Sequence, residues 1–310
     1  MNFILLIIWF ILLIKWSDML VDGSASIAKK YNISPLVIWL TIIAFWTSAP
    51  ELVVNMISAY SGNTQLAISN IVWSNISNIF LILWVTAIIY PIAIPNWAIK
   101  KEIPFLIMSS IILMLLLTDG ILTKADAWIL AILFTWFLYY TYNESKKKNL
   151  DIDEEIKEMT TLKSIIFIIL WLTWLIIWWK LIVDSAVNIA QSYWLPQSFI
   201  GITIVAIWTS LPELAASVTA ALKKQTDMAL GWVIGSNIFN TLWILWATGL
   251  IHPLQGYQNM KLDLTIEIIA SFLIFISAFT MKKYMISKSE WILLVLFYIS
   301  YIGYLTYINI

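Results

Sequence analysis

The chain has 310 residues, 61% of them hydrophobic and 12% charged, with a mean hydropathy of +0.88. Soluble domains run at about 45–50% apolar and about 25% charged, so this composition points to an all-α polytopic membrane protein. Zero formal net charge, no Cys and a single His (His252) argue against a nucleic-acid partner and remove disulfides, zinc sites and Cys or His catalysis.

The first apolar run opens at residues 3–14 with no basic stretch before it and no small-residue cleavage site behind it, so it is read as a retained helix rather than a signal peptide. Hydropathy then marks ten crossings, at about 3–27, 35–59, 67–89, 103–118, 126–142, 163–190, 198–222, 228–251, 264–281 and 290–308. One long polar stretch, NESKKKNLDIDEEIKEMTTL, separates the fifth from the sixth and is expected as a solvated loop or short surface helix. The chain thus divides into five helices at 1–142, a linker at 143–162 and five helices at 163–310, forming one integrated unit.

All 18 basic residues are lysines. Alternate loops hold Lys29 and Lys30; Lys100 and Lys101; Lys146, Lys147, Lys148, Lys157 and Lys163; Lys223 and Lys224; Lys282, Lys283 and Lys288. The other loops hold only Lys124 and Lys261, while Lys15 and Lys180 fall within segments. By the positive-inside rule the crowded side is cytoplasmic and both termini are outside.

A shift of 162 residues aligns the two halves without a gap as far as about residue 92. Asp22 falls on Asp184, Thr41 on Thr203, Ser74 on Ser236, Asn75 on Asn237, Asn78 on Asn240 and Pro91 on Pro253. Five crossings per half is an odd number, so the second half enters from the opposite face. Such inverted repeats place a shared site near the bilayer midplane.

Residues 41–52 read TIIAFWTSAPEL and residues 203–214 read TIVAIWTSLPEL, identical at nine of twelve positions. Each copy carries one carboxylate, Glu51 or Glu213, at membrane depth, where an ionised side chain costs roughly 2.5–3.5 kcal/mol. Thr47 and Glu51 stand i, i+4 on one helix face. Pro50 removes a backbone donor and frees carbonyls near residues 45–47, which at this depth are cation ligands. Thr209, Pro212 and Glu213 repeat the arrangement. The following helices add Ser74 and Asn78 in SNIVWSNISN, and Ser236 and Asn240 in GWVIGSNIFN, again i, i+4. The set is all oxygen and suits a hard cation such as Ca²⁺, which takes about 6–8 oxygens.

A lone membrane Glu is commonly a protonated or hydrogen-bonded bundle residue, and Ser or Asn commonly glue helices. Duplication of the whole set, with a Pro beside each carboxylate, outweighs that reading here. Lys180 and Asp184 are i, i+4 and read as a local ion pair rather than a conduction path. His252, in the loop before Pro253, reads as structural.

These motifs resemble the alpha repeats of the calcium/cation antiporter superfamily, particularly the bacterial and archaeal sodium/calcium exchangers. The patterns G-T-S-x-P-E and G-S-N-x-x-(N/D) are each met twice, apart from Trp positions, and the resemblance covers nearly the whole chain. It implies ten helices in two inverted five-helix repeats and a secondary antiporter rather than an enzyme. Ca²⁺ would be exchanged for Na⁺ across the cytoplasmic membrane, with no cofactor, in a protein expected to be a monomer in the bilayer. Carried over by position, the ligands are Thr47, Ser48, Glu51, Ser74 and Asn78, with Thr209, Ser210, Glu213, Ser236 and Asn240. Some members have Asp where this chain has Asn240, so two formal charges leave ion ratio and use of K⁺ open. The alternative of the same fold is a Ca²⁺/H⁺ exchanger. An intramembrane metal-dependent hydrolase would need His or Cys ligands, or a paired acid and base, which the sequence lacks.

Tryptophan is the second departure. The chain has 19 Trp and 9 Gly, and Trp46 and Trp208 stand where the family has the Gly of G-T-S-x-P-E. The 162 shift also lays Trp39 on Gly201 and Trp73 on Gly235. Gly permits close backbone approach, whereas a buried indole ring in its place overpacks, at about 1–3 kcal/mol for a few methylenes. Most of these tryptophans are therefore read as glycines whose UGA codons, glycine in some bacterial lineages, were translated as Trp. Counted as glycine, they raise Gly from 9 to 28.

Overall fold

The computed structural model describes residues 39–147, 159–170, 210–224, 226–280 and 285–286, with 19, 22–23, 26–27, 30, 173, 292, 295–301 and 303. The first and sixth crossings fall largely outside these residues, and the seventh and tenth are described in part, so the full count of ten rests on hydropathy.

The segment carrying Glu51 is interrupted at Ser48. A π-helical turn, Trp39–Ile43, and a short α-helical piece, Ala44–Thr47, end at a turn on Ser48. Helix α1 (Ala49–Tyr60) then restarts with Pro50 in its first turn. Proline has no N–H to give, which suits a helix start and leaves the Trp46 carbonyl without its i+4 donor. The Ser48 amide still reaches the Ala44 carbonyl at 3.1 Å, and Leu52 N–H reaches the Ser48 carbonyl at 3.1 Å, so hydrogen bonds join the two pieces. Gly62, at φ +76°, makes the turn into α2 (Thr64–Ile89).

Helix α2 has 26 residues and contains one π-helical turn, Asn78–Ile82. At about 1.5 Å rise per residue it exceeds the roughly 30 Å hydrocarbon thickness of a bilayer. Then follow α3 (Ile103–Leu116), entered through the π-helical turn Ala98–Glu102, and α4 (Lys124–Lys147). Helix α4 runs five residues past the expected segment end at 142, so the polar linker begins within a helix. Beyond it lie α5 (Thr161–Leu170), α6 (Leu211–Leu222), α7 (Ala229–Ile251) and α8 (Met260–Ser277), with a further helical run at 295–301.

The second half repeats the first where both are described. Helix α6 has Ser210 before it and Pro212 in its first turn, as Ser48 and Pro50 stand to α1. Helix α7 carries a π-helical turn, Phe239–Ile244, beginning one residue from the position equivalent to Asn78. Two short antiparallel ribbons tie the halves together. Strand β1 (Ile92–Ala93) pairs with β4 (Met285–Ile286), and β2 (Ile121–Leu122) pairs with β3 (Leu254–Gln255). The 162 shift carries β1 onto β3, so each half contributes to both ribbons. Gln255 N–H donates to Thr64 Oγ1 at 3.2 Å, which sets the β2–β3 ribbon at the start of α2, while β1 follows its end. The ribbons therefore cap opposite ends of the bundle, as inversion requires.

Helices α2 and α7 form the centre. Residues 67–80 and 229–242 are buried without exception, although they include Ser, Asn and Thr. Helices buried on every side must satisfy such groups internally. The outer face of α4 is the reverse, exposing Trp128, Ile132, Trp136 and Tyr139, an apolar surface suited to lipid rather than water. Gly235 lets α7 close onto the 39–47 helix: a Cβ there would lie 2.9 Å from the Leu40 carbonyl oxygen and 3.0 Å from its Cα. The equivalent Trp73 is buried, its ring stacked on Tyr301 at 5.3 Å. The Trp46 side chain and the whole of Trp208 fall outside the described part of the chain.

Candidate functional site

The two broken helix starts and the two central helices meet at one place. Glu51 and Glu213 sit in the first turns of α1 and α6, both fully buried. Each follows a proline that allows the chain to restart a helix there, and each gains from the unpaired N–H groups of that first turn. Ser74 meets both Glu51 and Ser210, the residue before α6, so the carboxylates of the two halves border one buried space.

Around them stand the hydroxyls and amides expected from spacing. Ser74 Oγ donates to Glu51 Oε1 at 3.0 Å and lies 3.0 Å from Ser210 Oγ of the other half. Thr47 Oγ1 lies 3.3 Å from Ser236 Oγ, again across the halves. Neither oxygen of Glu213 has a donor at hydrogen-bond distance among the described residues, with Thr47 facing it at longer range. Ser48 is fully buried, and its hydroxyl likewise meets no partner among them.

The asparagines are held by a crossed pairing. Asn78 Nδ2 donates to Asn237 Oδ1 at 2.9 Å, and Asn240 Nδ2 donates to Asn75 Oδ1 at 3.1 Å and to Ser74 Oγ at 3.3 Å. In both site amides the nitrogen is used and the oxygen, Asn78 Oδ1 or Asn240 Oδ1, is left open. Orphaned buried acceptors cost stability, and here two carbonyl oxygens and the Glu213 carboxylate do so together. Acceptors without donors are what a desolvated cation requires.

Of the ten residues singled out in the sequence, nine are described and all are buried: Thr47, Ser48, Glu51, Ser74, Asn78, Ser210, Glu213, Ser236 and Asn240. Thr209 lies outside the described residues, as do Lys180 and Asp184. Asp22 is not isolated: it pairs with Lys223 at 2.5 Å, bridging the two halves at the end of α6. His252 meets its neighbour's carbonyl, Pro253 O, at 3.0 Å. Among the described residues no three His, Cys, Asp or Glu cluster as a metal site, so the set is two carboxylates and neutral oxygens.

Four residues outside the ten sequence candidates touch this site or hold its members. Trp232 Nε1 donates to Thr47 Oγ1 at 3.1 Å. Asn75 and Asn237 hold the site amides, and their duplication at one shift was a visible signal. Glu267 on α8 accepts at Oε1 from Asn75 Nδ2 and from Ser110 Oγ, both at 3.0 Å. It was detectable only as one carboxylate in an apolar run, because it lies beyond the stretch that the 162 shift aligns.

Comparison with known proteins gives a consistent result. The family described as sodium/calcium exchanger protein matches residues 1–143 and 163–307. The putative antiporter CaxA of Alkalimonas amylolytica is 38% identical over 257 residues, covering 81% of each chain. The sodium/calcium exchanger MaX1 of Methanosarcina acetivorans is 28% identical over 347 residues and covers 99% of each. A solved structure of the sodium-calcium exchanger NCX_Mj superposes with a TM-score of 0.82 at 31% identity, covering 97% of each chain.

Proposed function

The chain belongs to the sodium/calcium exchanger family of membrane cation exchangers, and from that premise we propose that it exchanges Ca²⁺ for Na⁺ by alternating access at the Glu51–Glu213 site. It is a secondary transporter, not an enzyme. The observation that carries the ion assignment is two fully buried carboxylates, one from each half, in surroundings that offer only oxygen.

Glu51 and Glu213 bind Ca²⁺ directly. Thr47, Ser48, Ser74, Asn78, Ser210, Ser236 and Asn240, with Thr209 and the Trp46 carbonyl, complete its shell and provide flanking Na⁺ positions. An empty site holds two like charges out of water, and moving the barrier past it in that state is costly. One Ca²⁺, or Na⁺ ions in its place, neutralises the pair and permits reorientation. Competition for the same carboxylates thereby couples the two fluxes. The ligand-free first and sixth crossings slide across the site to change its access. The protein works in the cytoplasmic membrane with both termini outside, as one transport domain of two repeats at 1–142 and 163–310.

The test is Ca²⁺ uptake into proteoliposomes of the purified protein. An outward Na⁺ gradient is expected to drive uptake and a proton gradient of equal size is not; the reverse result would make it a Ca²⁺/H⁺ exchanger. Glu51→Gln is expected to reduce uptake to the protein-free background. Retained flux in that variant would remove Glu51 from the site.

A further inference from the structure

Glu267 is a fully buried carboxylate on α8 that lies outside both copies of the repeated motifs. Its Oε1 takes hydrogen bonds from Ser110 Oγ of α3 and Asn75 Nδ2 of α2, and its Oε2 has none among the described residues. Asn75 Nδ2 also donates to Thr241 Oγ1 at 2.9 Å. Both amide hydrogens of Asn75 therefore point at α7 and α8, which turns its Oδ1 toward Asn240. That oxygen, with Ser74 Oγ, takes both amide hydrogens of Asn240 and leaves Asn240 Oδ1 open.

An amide presents an oxygen at one end and hydrogens at the other, and only the oxygen can bind a cation. Something must choose the end. The Thr241 hydroxyl donates as readily as it accepts, so it makes no choice. Glu267 Oε1 does, because in either protonation state it remains an acceptor for Asn75.

Resting on the exchange reading above, we propose that Glu267 is a positioning residue of the ion site, acting through Asn75 to hold Asn240 with its oxygen toward the cation. The other half needs no such residue. Asn78 Nδ2 is held by Asn237 Oδ1, and Asn237 Nδ2 is fixed by a backbone carbonyl, that of Asn75, at 3.2 Å. A backbone carbonyl cannot turn around, whereas the side chains about Asn75 can. Glu267 supplies on one side what the main chain supplies on the other.

Asn240→Asp makes the relay testable, since a carboxylate offers oxygen whichever way it turns. Sodium-driven Ca²⁺ uptake is measured for Glu267→Leu and Glu267→Gln, each in the Asn240 and Asn240→Asp backgrounds. Glu267→Leu is expected to raise the KM for Ca²⁺ by about tenfold while the maximal rate stays within about twofold. Glu267→Gln, which keeps an acceptor for Asn75, restores a KM near the parent's. In the Asn240→Asp background Glu267→Leu adds no further rise. An unchanged KM in Glu267→Leu, an equal rise in both backgrounds, or a Gln variant as impaired as Leu each overturns the proposal. Should Glu267→Leu not fold, Asn75→Ala breaks the relay at its middle and is read in the same two backgrounds. If the parent shows no Na⁺-driven uptake, the exchange reading fails by itself. Ca²⁺-dependent thermal stabilisation of the same variants then decides the relay, with the midpoint Ca²⁺ concentration in place of KM.

Discussion

The two halves place the same residues around one point, yet they do not hold them in the same way. In the first half Glu51 is tied to Ser74 of the neighbouring helix; in the second, Glu213 has no such bond to Ser236. Ser74 reaches across to Ser210, while its counterpart Ser236 reaches Thr47 rather than Ser48. On the outer flank the contrast widens, since Asn75 donates to the Glu267 carboxylate whereas its counterpart Asn237 donates to a main-chain carbonyl. Symmetry is thus kept in which residues surround the site and relaxed in how each of them is held. Such inequality lets one site take two unequal arrangements, which a carrier opening alternately to each side requires.

The largest effect that would alter this comparison concerns Trp73 and Gly235. The recoding reading expects glycine at 46, 73 and 208 in peptides of the protein made by its own cells, which peptide mass spectrometry reads directly. A glycine at position 73 would match Gly235 and bring the two halves closer to one pattern. A tryptophan peptide at 73 would overturn that reading and make the asymmetry real. Trp73→Gly would then be a cavity mutation beneath Tyr301, losing about 3–5 kcal/mol in a denaturation assay. Gly235→Ala should lose about 1–3 kcal/mol under either reading, because its Cβ would meet the Leu40 backbone.

A smaller effect separates the serines. Ser74→Ala removes the donor to Glu51, the contact to Ser210 and a partner of Asn240 at once. Ser236→Ala removes one contact to Thr47. The Ca²⁺ KM is expected to rise roughly tenfold in the first and only about two- to threefold in the second. Equal shifts would mean that the asymmetry in hydrogen bonding has no energetic weight.

Much of this arrangement could be read from the sequence because its causes are local or duplicated. Proline beside a carboxylate dictates an interrupted helix, and i, i+4 spacing puts Thr47 with Glu51 and Ser74 with Asn78 on shared faces. The repeat supplied what locality could not, namely that the two sets converge. What escaped has neither property. Glu267 lies beyond the stretch that the 162 shift aligns, and its role exists only through Asn75, a contact 192 positions away in the chain. The direction of each amide likewise depends on long-range partners. The π-helical turns at Asn78–Ile82 and Phe239–Ile244 follow no composition rule, though both begin at or beside a site asparagine. The ribbons are two residues long, too short for an alternation pattern.

The smallest expected effect lies at the end of α6, where Asp22 and Lys223 pair at 2.5 Å between the two halves. This contact joins the first crossing to α6 of the other half, and under the proposed sliding of that crossing a strong bond here would act as a latch. Its exposure argues otherwise: the Lys223 side chain is 28% and the Asp22 side chain 48% accessible. Ion pairs this open contribute about 0–1 kcal/mol and weaken further in salt, because each charge is nearly as well served by water. Lys223→Met is therefore expected to leave the Ca²⁺ KM unchanged and to alter the maximal rate by no more than about twofold, less still at about 0.5 M salt. A tenfold faster or slower carrier, insensitive to salt, would show that the pair is shielded during reorientation and gates it. The unequal halves would then differ in their moving parts as well as in their hold on the ion.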